Sequence, residues 1–153
     1  MIEEGQKFPD FSLQNQDGKV VKLSDFKDKW LVVYVYPKDD TPGCTIQGQS
    51  FTASKADFDA AGIEIVGLSA DDVESHKMFC NKFAFTIDLL ADPKHELLNA
   101  AGVGQSDYKG TMYWDRTSFV IGPDGTIRKV YKKVSPQGHE QVLLDDIRAL
   151  QTA

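Results

Sequence analysis

Apolar and polar positions change period repeatedly along this chain. Residues 11–13 and 19–21 read as two short strands on either side of Asp17-Gly18, a dipeptide that favours a tight hairpin turn. Residues 31–36 (Leu31-Val32-Val33-Tyr34-Val35-Tyr36) are apolar without a break, as expected of a central strand buried on both faces. A helix is predicted from Pro42 to about Ala60, closed by Gly62. Residues 63–69 form the next strand and 72–82 the next helix. Residues 89–91 read as a short strand, followed by a helix over 94–101 that Gly102 ends. Residues 117–121 and 127–134 flank Pro123-Asp124-Gly125, a second hairpin signal. From 137 to 150, Leu143, Ile147 and Leu150 recur at helical spacing, predicting an amphipathic helix that covers a sheet. Strands alternating with helices give an α/β fold in one domain spanning 1–153, with parallel strands joined by helices and a closing hairpin and helix.

Composition changes this picture little. With 153 residues, 41% hydrophobic and 26% charged, the chain is long enough for a substantial core. A net charge of −6 argues against nucleic acid or an anionic membrane as main partner. No apolar run approaches the roughly eighteen residues a membrane helix needs. The start, Met1-Ile2-Glu3-Glu4-Gly5, is acidic and lacks the apolar segment of a signal peptide, so a cytoplasmic location is expected. In that reducing compartment the two cysteines, Cys44 and Cys80, are expected to be redox-active rather than structural.

Cys44 has the more telling position. It follows the central strand, and Thr41 and Pro42 read as the N-cap and first residue of the helix that comes next. Cys44 then falls in the first turn, among backbone N–H groups that have no partner inside the helix. Those donors and the positive end of the helix dipole favour a thiolate. A free cysteine is only about 3% ionised at neutral pH, so this stabilisation matters to a nucleophile.

The string Tyr36-Pro37-Lys38-Asp39-Asp40-Thr41-Pro42-Gly43-Cys44-Thr45 resembles the active-site motif of peroxiredoxins, and specifically of the peroxiredoxin Q or bacterioferritin comigratory protein subfamily. The resemblance extends to Phe8-Pro9-Asp10-Phe11 and to Arg116-Thr117-Ser118-Phe119-Val120. It implies a thioredoxin-like fold with an N-terminal β-hairpin extension and a mixed central sheet flanked by helices. It also implies a thiol-dependent peroxidase that reduces hydrogen peroxide and organic hydroperoxides, needs no cofactor or metal, is recycled by thioredoxin or a similar dithiol, and is a monomer or in some members a dimer. By the same resemblance Cys44 attacks the peroxide, Thr41 hydrogen-bonds it, Pro37 shields the thiolate, and Arg116 stabilises charge on sulfur and on the departing oxygen. Read from the residues alone, Thr41 could be only a helix cap, Pro37 a strand terminator, and Arg116 half of a solvated pair with Asp115.

Gln49 stands where many subfamily members carry a resolving cysteine, five positions after the first. Other members place that cysteine in the next helix, and Cys80 is similar to theirs. On that helix Val73, His76, Phe79, Cys80 and Phe83 share one face, which leaves core filler as the lesser alternative for Cys80. If it resolves, both helices must unwind locally, because a disulfide needs Cα atoms within about 7 Å. A one-cysteine peroxidase with a non-catalytic Cys80, and a non-catalytic redox sensor, stay open as alternatives. The absence of a CxxC motif argues against a general disulfide oxidoreductase. His76 and Cys80 alone are too few ligands for a metal. His95 and His139 are expected on the surface, and Asp39-Asp40 in a solvated loop. Phe83, Phe85, Tyr108, Met112, Tyr113 and Trp114 are expected mostly in the core, with some at the entrance to the site.

Overall fold

The computed structural model describes residues 2–153. Nine strands and four helices follow one another as β1 (Ser12–Gln14), β2 (Val20–Lys22), a 3-10 turn (Leu23–Phe26), β3 (Trp30–Val35), α1 (Pro42–Ala60), β4 (Ile63–Ser69), α2 (Val73–Phe83), β5 (Asp88–Ala91), α3 (Glu96–Ala100), β6 (Gln105–Tyr108), β7 (Thr111–Trp114), β8 (Thr117–Ile121), β9 (Ile127–Tyr131) and α4 (His139–Gln151). Seven strands make one mixed sheet in the order β2-β1-β5-β4-β3-β8-β9. Strands β3, β4 and β5 run parallel, and the remaining pairings in that sheet are antiparallel. The predicted α/β class and mixed sheet are what the chain adopts.

Strand β3 shows how sequence becomes layer. Its alternate side chains leave opposite faces of the sheet. Leu31, Val33 and Val35 enter an apolar cluster with Phe8, Phe11, Leu68, Leu97, Leu98 and Phe119. Val32, Tyr34 and the following Tyr36 enter a second cluster with Phe51 and Phe58 of α1, Phe79 and Cys80 of α2, and Leu143 and Ile147 of α4. The unbroken apolar run is therefore the consequence of burial on both sides.

Most boundaries agree with the sequence pattern to within one or two residues. The helix predicted over 94–101 is shorter, because Pro93 and a left-handed His95 (φ 59°) hold the chain out of helix until Glu96. The sequence pattern also lacks the β6–β7 ribbon. Both of its turn residues, Lys109 and Gly110, have positive φ, the geometry of a two-residue hairpin. All of β6 and half of β7 are exposed, so no buried face imposes an apolar alternation.

His139 corrects a second expectation. It is buried at the start of α4, with Nε2 at 2.9 Å from the Ser118 hydroxyl oxygen and its ring edge-on to Tyr131. Burial pushes its imidazole down to about 4, and Asp146 offsets this only in part. The unfolded chain, near 6.5, then takes up the proton first as pH falls. Stability from the neutral ring is complete above about 6.5 and is lost as pH falls towards about 4. The urea midpoint should decline across that window more steeply in the wild type than in His139→Gln; equal slopes would remove His139 from the acid response. His95 is half-buried, edge-on to Trp114.

Candidate active site

Helix α1 begins where predicted, with extended Thr41 in the N-cap position and Pro42 in the first turn. The capping itself differs from expectation. No described side chain caps the helix, and the Thr41 hydroxyl instead donates to the Lys38 carbonyl at 2.8 Å. The first-turn amides are thus left free of a side-chain acceptor. The hydroxyl, with its proton committed to Lys38, keeps its lone pairs for another donor.

Cys44 sits in that first turn and is almost fully buried. Arg116, two residues after β7, reaches across to it. Its Nη2 lies 3.6 Å from Cys44 Sγ, and its Nη1 donates to Gln47 Oε1 at 2.7 Å. Arg116 is therefore not a solvated partner of Asp115, which bonds the Ser106 hydroxyl instead. Gly43 makes the approach possible, because a Cβ there would stand 2.8 Å from Arg116 Nη2. Pro37, Lys38, Thr41, Pro42, Gly43 and Arg116 line one side of a cleft of about 500 Å3. The β6–β7 ribbon supplies the other side through Ser106, Asp107, Tyr108, Tyr113 and Trp114. Of the aromatic set, Tyr108, Tyr113 and Trp114 thus wall the cleft, half-buried Phe83 at the end of α2 stacks on half-buried Phe85, and Met112 is exposed.

Gln47 is absent from the residues singled out by sequence. It is 1% exposed, and its Nε2 has no partner among the described residues. Its carbonyl must face Arg116, so its amide is left unpaired, a cost that only the arginine's placement offsets. The available signal was its spacing: Gln47 is i+3 from Cys44 and so lies on the same helical face.

Cys80 lies on the buried face of α2, in the same apolar cluster as Cys44 and Tyr34. Both cysteines are free thiols among the described residues. Burial, then the charges of Asp39, Asp17 and Asp88, push the Cys80 thiol up to about 12. Closed within the folded protein it is a poor nucleophile.

Asp39 overturns the reading of a solvated pair. Asp40 is exposed, in left-handed backbone, and pairs with Lys82 at 2.8 Å. Asp39 is buried beside His76. The atoms of Asp39, Asp71 and His76 that could ligate a metal lie within 4.8 Å of one another, but each is occupied by hydrogen bonds inside the protein. Cys80 takes no part in that group. No helix among the described residues is long and apolar enough to cross a membrane.

Known proteins bear on this arrangement. The AhpC/TSA family matches residues 4–130. A Haemophilus influenzae protein named as a peroxiredoxin, bcp, is 38% identical over 152 residues, covering 97% of this chain and 98% of its own. The crystal structure of a cysteine-to-serine mutant of Xylella fastidiosa PrxQ superposes with a TM-score of 0.94 at 29% identity, covering 99% of this chain and 98% of that one. A Xanthomonas campestris bacterioferritin comigratory protein, described for its alkyl peroxide reduction activity, superposes with a TM-score of 0.85 at 33% identity, over 91% of this chain and 90% of that one. Likeness across nearly the full length, in sequence and in fold together, makes this chain a member of the AhpC/TSA family, the thiol-dependent peroxidases known as peroxiredoxins.

Proposed function

We propose that Cys44 is the peroxidatic cysteine and Cys80 the resolving one of a thioredoxin-recycled peroxidase. The observation that carries this reading is Arg116 Nη2 at 3.6 Å from Cys44 Sγ, at an uncapped helix start beside the cleft. The Cys44 thiolate attacks one peroxide oxygen, the O–O bond breaks, and the departing oxygen leaves as alkoxide or hydroxide and takes a proton from water. Negative charge spreads over sulfur and two oxygens in the transition state. Arg116 faces that charge with donors in a fixed plane, the Thr41 hydroxyl accepts the peroxide O–H, and Pro37 keeps water from the sulfur.

The Cys80 thiol then attacks the Cys44 sulfenic sulfur. A disulfide forms, and the hydroxyl leaves with the Cys80 proton as water. An external dithiol reduces the disulfide. The cleft is far larger than hydrogen peroxide requires, and Pro37, Pro42, Tyr113 and Trp114 give it apolar walls. That supports organic hydroperoxides as substrates, the class the Xanthomonas protein is described as reducing. We infer a cytoplasmic enzyme that is a monomer or a dimer.

A one-cysteine cycle is the second reading, favoured by the depth of Cys80 and its elevated thiol. Peroxide consumption with thioredoxin, its reductase and NADPH separates the two. Cys80→Ser should lose the intramolecular disulfide by mass and slow at least about tenfold with thioredoxin, while keeping its first oxidation step. Unchanged turnover, with no disulfide in the wild type, would establish the one-cysteine cycle.

A further inference from the structure

The loop between β3 and α1 grips both ends of the helix that carries Cys80. Asp39 Oδ2 accepts from the Ser75 hydroxyl at 2.8 Å and from His76 Nδ1 at 2.6 Å, while Oδ1 accepts from the Tyr36 hydroxyl at 2.6 Å. The amide of Asp39 donates to Asp71 Oδ2 at 2.9 Å, and that oxygen also takes the Ser69 hydroxyl. The other ring nitrogen of His76 donates to the Leu90 carbonyl of β5 at 2.8 Å. At the far end of α2, Lys82 reaches Asp40 of the same loop at 2.8 Å. Cys80 lies between these tethers, one turn beyond His76.

The two tethers are unequal. Lys82 and Asp40 are exposed, and such a pair contributes little. His76 is 0% exposed and Asp39 7%, so their contact is made away from water, where a charge-assisted bond is strong and its loss leaves a carboxylate short of a donor. Neither residue lines the cleft, and neither is hydrogen-bonded to Cys44, whose partner is Arg116. Asp39 nonetheless belongs to the loop that sets Thr41, and His76 to the helix that must open.

We propose that the buried Asp39–His76 contact is the latch that keeps the Cys80 helix folded while peroxide is attacked, and that its opening sets the rate at which Cys80 reaches the Cys44 sulfenic acid. This rests on the resolving role given to Cys80 above. With the latch closed, Cys80 is buried in the cluster around Tyr34 and remains a thiol. Once the contact breaks, α2 loses its hold on the loop and unwinds as a local unit, and Cys80 becomes exposed and able to ionise. The sulfenic acid has two fates meanwhile. It forms the disulfide and releases water, or it is oxidised by a second peroxide to the sulfinic acid, with water or alcohol released. The latch therefore governs the partition between recycling and inactivation. His76 and Asp39 act here as positioning residues.

His76 can be replaced in two ways that separate latching from stability. Gln at 76 places its amide nitrogen near the position of Nε2, keeping the bond to Leu90 and losing the one to Asp39. Asn at 76 places its nitrogen near Nδ1, keeping Asp39 and losing Leu90. Rapid-quench alkylation with intact-mass analysis after one equivalent of hydrogen peroxide reads the disulfide-forming step, and excess peroxide reads sulfinic acid. His76→Gln should form the disulfide about tenfold faster or more and yield correspondingly less sulfinic acid. His76→Asn should stay within about threefold of wild type. Ser75→Ala, which removes one donor to Asp39 from a half-buried site, should accelerate the step about two- to fivefold, and it decides the matter should His76→Gln not fold. In a Cys80→Ser background, His76→Gln should leave sulfinic acid formation unchanged.

Equal acceleration by Gln and Asn would mean a general loss of stability and overturn the latch, as would no acceleration in any variant. A change in sulfinic acid formation without Cys80 would place the contact in peroxide attack instead, and overturn it too. A wild type that forms no Cys44–Cys80 disulfide removes the resolving role itself, an outcome visible before any variant is compared.

Discussion

Replacing Cys44 by serine should abolish peroxide turnover, a loss of roughly a million-fold on the scale seen when an enzyme loses its nucleophile. A hydroxyl in that position is close in size to the thiol, but it is not appreciably ionised at neutral pH, and oxygen does not cycle through a sulfenic state. The free first-turn amides and Arg116 would remain in place with nothing to activate. The fold should persist, because Cys44 contributes one small side chain to a cluster that holds Tyr34, Phe51, Phe58, Phe79 and Leu143. Circular dichroism and the melting temperature provide that control. Turnover above about one per cent of wild type, in a folded Cys44→Ser protein, would show that another group attacks the peroxide.

The visibility of this site in the sequence depends on how local each cause is. The start of α1 is written in adjacent residues: an extended Thr41, a proline whose missing N–H costs nothing there, and a thiol two positions on. The central strand is visible for the same reason, since burial on both faces leaves a continuous apolar run. Asp39 was not visible, because nothing in Lys38-Asp39-Asp40 reveals that the loop folds against a helix more than thirty residues later. The β6–β7 ribbon was silent because exposed strands need no apolar alternation, and Lys109-Gly110 is a weaker turn signal than Asn-Gly. His139 follows Gln137-Gly138, and its burial comes from Ser118 of β8 and Tyr131 of β9, contacts made only once α4 folds back on the sheet. Local chemistry is legible; the tertiary partner that buries a polar group is not.

Gln47 and Arg116 offer the second large effect, and the form of that effect tests how the site is built. Arg116→Met should slow oxidation of Cys44 by about a hundred- to a thousandfold, the usual loss for a donor aimed at developing negative charge. Arg116→Lys keeps the charge and loses the planar fork, so a smaller but clear loss is expected; an equal rate would remove Arg116 from the site. Gln47→Ala should slow oxidation about tenfold, because the guanidinium loses the acceptor that fixes Nη1 and is free to swing away from Sγ. The loss should fall on the second-order rate with peroxide, measured in a single turnover, and leave disulfide formation alone. If Gln47 acts through the bond it accepts from Arg116, its removal from an Arg116→Met protein should cost almost nothing more. Fully additive losses would show that Gln47 contributes by itself, through its unpaired Nε2 or the helix it sits on, and would break the proposed chain from glutamine to arginine to sulfur.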